Sequence, residues 1–178
     1  MAQENDQMWQ AVEKLADKST FNEGWSALHD AGQAAVAAVR DGLSHPNPRV
    51  RQFCAAFVDA HWDESALRRL ILSLHDPKLK VRKAAAHSLG CDRCKGGQNP
   101  IDVLPYLEER IREDKSIKVR RMAVQTLAVQ TPTYRIARVL RRALRDETDP
   151  KIRRFAEWGL ARYEKERIAS TNKAAINE

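Results

Sequence analysis

Asp76-Pro77-Lys78-Leu79-Lys80-Val81-Arg82-Lys83-Ala84-Ala85-Ala86-His87-Ser88-Leu89 is the most informative stretch of this 178-residue chain. Asp-Pro is a helix-opening pair, because proline at a first helical position loses no intrahelical bond. From Val81 onward, small or apolar residues recur at Ala85, Ser88 and Leu89, one stripe of a 3.6-residue period. The stretch has three relatives in the same chain: PNPRVRQFCAAFVDA from Pro46, DKSIKVRRMAVQTLA from Asp114 and TDPKIRRFAEWGLAR from Thr148. Their anchors Val50, Val81, Val119 and Ile152 are 31, 38 and 33 residues apart. The longer interval coincides with an insert, Cys91 to Gln98, and a stacked array tolerates such a loop.

The other three copies carry the same stripe: Val50, Cys54, Phe57 and Val58; Val119, Ala123, Thr126 and Leu127; Ile152, Ala156, Gly159 and Leu160. A second amphipathic helix precedes each, over 34–43, 64–74, 103–113 and 134–145. Met8, Trp9, Val12 and Leu15 mark one further helix, and Thr20-Phe21-Asn22-Glu23 reads as a capping box opening the next. Asn47-Pro48, Asp76-Pro77, Asn99-Pro100, Thr131-Pro132 and Asp149-Pro150 read as helix starts. Pro105 implies a kink or a start at Asp102. The expected fold is all-α, an α-solenoid (superhelix) of about five antiparallel helix pairs. A single domain over 1–165 is expected, with a capping pair at 1–32 and repeats at 33–63, 64–98, 99–130 and 131–165. Residues 166–178, which lack an apolar period, are expected to fray.

Composition agrees. Apolar residues make up 43%, too many for a disordered chain, and 7 Gly and 7 Pro are too few for a turn-rich β fold. Residues 1–47 carry a net charge of −4 and residues 48–178 a net +11. A basic body of this kind attracts acidic proteins, nucleic acid or anionic membrane surfaces. No run approaches the ~18 apolar residues of a membrane span, and the polar first 20 residues do not resemble a secretory signal. With three cysteines, Cys54, Cys91 and Cys94, a cytoplasmic protein with reduced thiols is expected.

The repeated Asp-Pro-x-x-x-Val-Arg-x-x-Ala-Ala-x-x-Leu pattern of Asp76 to Leu89 resembles HEAT-repeat proteins. The resemblance is strongest to the short bacterial and archaeal kind related to phycobilin-lyase HEAT-like repeats. It covers about Ala34 to Tyr163, and weakly the first 32 residues. It implies an α-solenoid whose second helices line a concave face, and a ladder of contacts between successive repeats. No residue matches a bilin ligand.

An acidic residue stands six positions before the motif arginine in three copies: Asp76 with Arg82, Asp114 with Arg120 and Glu147 with Arg153. His45 takes that place before Arg51. An arginine at a helix N-terminus is opposed by the macrodipole, so these are expected to be structural pairs. The flanking positions are freer. Lys83, Arg121 and Arg154 stand one residue beyond the motif arginine, with His87, Gln125 and Trp158 one turn further on. Together these six are the expected binding face.

His87-x-x-x-Cys91-x-x-Cys94 offers three soft zinc ligands, but a structural site takes four and no second Cys-x-x-Cys exists. No cofactor is therefore expected, with zinc on His87, Cys91 and Cys94 as the alternative. Asp59, His61 and Asp63 around Trp62 form an acid–aromatic group as in the HEAT-like glycosylases, which this chain resembles only in general architecture, and a helix C-cap and turn explains the group more cheaply. There is no His-Glu pair of the HEAT-like hydroxylases, no phosphate loop and no Gly-x-Ser-x-Gly. The expected protein is a non-enzymatic, monomeric scaffold or adaptor binding another protein through its basic second helices. Nucleic-acid association is the alternative, and a lyase accessory or small enzyme the weaker one.

Overall fold

The computed structural model describes the backbone of residues 2–92, 94 and 100–176, and side chains within 5–92, 94 and 100–172. The described residues form helices and no strand, and none of these helices is long and apolar enough to cross a membrane. Ten α-helices and one 3-10 turn fall into two compact units.

The first unit, Met1–Val103, holds α1 (Ala2–Lys14), α2 (Phe21–Ala31), the 3-10 turn Gly32–Ala35, α3 (Val36–Gly42), α4 (Pro48–Phe57), α5 (Glu64–Ser73) and α6 (Leu79–Gly90). The second, Leu104–Glu178, holds α7 (Leu104–Glu113), α8 (Ile117–Val129), α9 (Tyr134–Asp146) and α10 (Pro150–Ile176). Consecutive helices pair, α1 with α2 through α9 with α10, giving the five expected pairs. Instead of the single domain expected over 1–165, the chain divides into two compact units between Val103 and Leu104, within the longest repeat interval. Of the insert there, Arg93 and Lys95 to Gln98 lie outside the described residues, as does Asn99 of the expected Asn99-Pro100 helix start.

The stripe is the core. Val50, Val81, Val119 and Ile152 are all fully buried, as are Cys54, Ala85, Ala123 and Ala156 four residues on. Small side chains there let neighbouring helices approach. At Gly159 a Cβ would stand 3.0 Å from the Ala128 Cβ, and at Gly24 it would stand 2.5 Å from the Ala11 carbonyl oxygen.

The helix starts follow the proline rule in part. Asn47 caps α4, accepting from the Arg49 N–H at 2.9 Å, and Asp149 caps α10, accepting from the Ile152 N–H at 3.0 Å. α9 begins at Tyr134 and is capped by Thr133, two residues past the expected Thr131 cap. Asp76 accepts instead from the Lys78 N–H at 2.7 Å, an Asx turn that delays α6 to Leu79. Pro105 sits in the first turn of α7, where it needs no kink. Thr20 makes no capping box: its hydroxyl donates to the Lys14 carbonyl at 2.9 Å, and Glu23 pairs with Lys14.

The C-terminal stretch is also corrected. α10 continues to Ile176, so residues 166–176 are helical where fraying was expected. Within this stretch Arg167 pairs with Glu164 at 2.8 Å, and Ser170 and Thr171 donate to carbonyls four residues back. These contacts lie inside one helix and need no apolar period.

Candidate functional site

The ladder is displaced by one repeat from its expected register. Arg51 of α4 grips the Asp76 carboxylate, Nε to Oδ2 at 2.6 Å and Nη2 to Oδ1 at 3.1 Å. Arg120 of α8 likewise takes Glu147, at 2.6 and 3.4 Å. The residue six positions back supplies its main chain instead. Arg51 donates to the His45 carbonyl at 2.8 Å, Arg82 to Asp76 at 3.0 Å, Arg120 to Asp114 at 3.1 Å and Arg153 to Glu147 at 3.2 Å. The within-repeat carboxylate pairs Asp76–Arg82 and Glu147–Arg153 are therefore replaced by backbone contacts. Each guanidinium closes loop carbonyls left open by the preceding helix, and the Asp76 and Glu147 carboxylates turn to the arginine of the repeat before.

Of the six expected binding residues, Lys83, Gln125, Arg154 and Trp158 are exposed, Trp158 by 47%. Arg121 is committed elsewhere. Its Nε donates to Asp149 Oδ1 at 2.8 Å and its Nη2 to Oδ2, so it fixes the cap of α10. The Arg121 hydrogen bonds hold the Asp149 carboxyl well below the usual carboxylate range. His87 is half-exposed, with Nε2 3.3 Å from Asp59 Oδ2. The six belong to two units: Lys83 and His87 to the first, the other four to the second.

In the second unit α8 and α10 run side by side in the same direction. Arg121 joins their N-terminal ends through Asp149, and Arg162 of α10 donates to the Ala128 and Gln130 carbonyls at the C-terminal end of α8. The Arg162 guanidinium also lies 5.0 Å from the Trp158 ring centroid. In the first unit α4 and α6 have the same relation, with Arg51 and Asp76 at one end. At the other end, among the described residues, a cluster joins them. Asp59, just past α4, meets His87, Cys91 and Cys94 at the end of α6, with the potential ligand atoms all within 4.8 Å of one another.

Sequence reasoning found three of these four groups and missed Asp59, which it placed with His61 and Asp63. The structure disperses that trio. Asp63 caps α5 by accepting from the Ala66 N–H at 2.7 Å, and His61 packs on Phe57 and His29. The Cys91 and Cys94 sulfurs are 3.0 Å apart, with Cys91 buried and Cys94 exposed. Burial, then hydrogen bonds to Asp59 and Cys91, raise the Cys94 thiol to about 12. Cys54 is buried within the core, and burial pushes its thiol up.

Sequence reasoning also passed over α9. Arg135, Arg138, Arg141, Arg142 and Arg145 are all exposed on this one helix, and their spacing was visible in the sequence. Arg141 meets Glu164, and Arg142 meets Glu108, each at 3.2 Å.

Paired antiparallel helices with buried valine or isoleucine anchors define a helical-repeat protein. Residues 104–175 match the family model for HEAT repeats. No curated protein matches the chain.

Proposed function

We propose that this protein is a non-enzymatic binding module that recognises an acidic protein segment through the second helices of its repeats. The observation that carries this reading is the exposed face of the second unit. There Trp158 of α10 and Gln125 of α8 occupy equivalent places on neighbouring helices, with Arg154 one turn before Trp158. Trp158 is an amphipathic anchor of the kind that dominates interface energy, and Arg154 supplies charge complementary to a carboxylate. HEAT repeats commonly serve protein interaction, which agrees with this choice.

A second reading, association with nucleic acid, is favoured by α9 alone. Five exposed arginines on one helix suit a phosphate backbone, even with Arg141, Arg142 and Arg145 meeting carboxylates, because such exposed pairs are weak. Affinity purification with and without nuclease separates the two. The first reading expects a nuclease-resistant protein partner that is lost from an Arg154→Glu, Trp158→Ala variant of unchanged helicity. Capture abolished by nuclease, and by Arg138→Glu with Arg145→Glu, would establish the second.

A further inference from the structure

We propose that Asp59, His87, Cys91 and Cys94 bind one zinc ion, which ties the C-terminal end of α4 to that of α6. The four potential ligand atoms lie within 4.8 Å of one another. A tetrahedral zinc with bonds of ~2.0–2.3 Å places its ligands about 3.3–3.8 Å apart, so side-chain shifts of about 1 Å complete the site. His87 Nε2 to Asp59 Oδ2 is already at that separation, 3.3 Å, and the Cys91 and Cys94 Sγ atoms, at 3.0 Å, need to part by about 0.8 Å.

The donor set selects the metal. Two thiolates and an imidazole favour zinc over the hard cations magnesium and calcium, which take oxygen ligands. The carboxylate supplies the fourth ligand that the Cys-x-x-Cys lacks in sequence. Four protein ligands leave no open coordination position, so the ion is structural rather than catalytic.

The frame is fixed before metal arrives. His87 and Cys91 are four residues apart at the end of α6, on one face. Asp59 follows the end of α4, which α6 packs against. Two helix C-termini therefore point their carbonyl dipoles toward one place, which favours a cation there. In the second unit the C-terminal end of α8 is joined to α10 by the cation of Arg162. The first unit uses a metal for the same junction. This proposal does not depend on what partner the protein binds.

The test uses the full chain, purified without a His-tag or chelator and kept reduced. Elemental analysis is expected to find one equivalent of zinc. Co(II) added to the metal-stripped protein is expected to give the intense visible bands of a tetrahedral site and a thiolate-to-metal band in the near ultraviolet. Cys91→Ser with Cys94→Ser should abolish both, and Asp59→Asn should weaken Co(II) affinity by more than about tenfold. Should the cysteine variant fold poorly, the Co(II) titration of the wild type still decides. Several outcomes would overturn the proposal. They are a reduced wild type that takes up no Co(II), a six-coordinate spectrum, Co(II) binding unchanged by Asp59→Asn, or binding retained without both cysteines. A Cys91–Cys94 disulfide whose reduction yields no metal affinity would overturn it equally, and would reassign the pair to redox chemistry.

Discussion

Arg51 and Asp76 belong to successive helix pairs and are joined by two parallel hydrogen bonds, at 2.6 and 3.1 Å. Both side chains are largely shielded, 14% and 8% exposed. A shielded bidentate pair resists truncation of either partner, because the survivor keeps its desolvation cost. Arg51→Ala and Asp76→Ala should each lower stability by about 1–3 kcal/mol. Denaturant unfolding of both single variants and the double variant should reveal a coupling of ~1 kcal/mol or more. Additive losses would mean that the pair is ornamental.

Asp149 should make part of the acid sensitivity. Arg121 holds its folded-state carboxyl below the ordinary value of 3.8, so the ion form is favoured by folding. The stability it contributes is fully present above that ordinary value and is lost as pH falls through the folded value. Asp149→Asn keeps the cap and removes the charge. Its melting temperature should lie below wild type at about pH 6, and the gap should close toward about pH 2. A gap independent of pH would assign the effect to packing.

Gly24→Ala sets two effects against each other. Alanine gains about 1 kcal/mol of helix propensity over glycine. The new Cβ, however, would stand 2.5 Å from the Ala11 carbonyl oxygen and 2.7 Å from the Lys14 Cβ, and a helix backbone cannot yield as a side-chain tip can. Overpacking at ~1–3 kcal/mol should win, and thermal unfolding should show a net loss.

Arg162→Ala opens the carbonyls of Ala128 and Gln130 at the end of α8. A loss of about 1 kcal/mol is expected. Amide exchange near Val129 should quicken, while that at the start of α8 should not change. Uniform acceleration along α8 would show that Arg162 supports the whole helix rather than its end.

The repeat could be read from the sequence because burial has a period. Val50, Val81, Val119 and Ile152 follow from spacing alone, and each is fully buried. The partner of a ladder arginine has no such signal. Periodicity tells which side of a helix is inward, not which neighbouring helix a carboxylate turns to. Asp76 therefore looked like the partner of Arg82 but serves Arg51. Arg121 looked free because Asp149, 28 residues later, was read only as a cap. Asp59 was hidden for the same reason: it stands as far before His87 as Asp149 stands after Arg121, and only the lateral packing of α4 on α6 brings it there.

α10 is a single run of hydrogen-bonded turns, but its surroundings change along its length. Up to Gly159 and Arg162 it packs on α8 and α9, whereas Lys165 to Asn172 are exposed on every side. From Lys165 to the end of α10 at Ile176 the helix is only at the lower edge of the ~12–15 residues at which an isolated helix holds its own in water. One continuous helix therefore contains two thermodynamic phases. The inner turns open only when the unit unfolds. The outer turns, helical but without tertiary support, should open independently of the inner ones, on the microsecond-or-faster scale of helix–coil exchange.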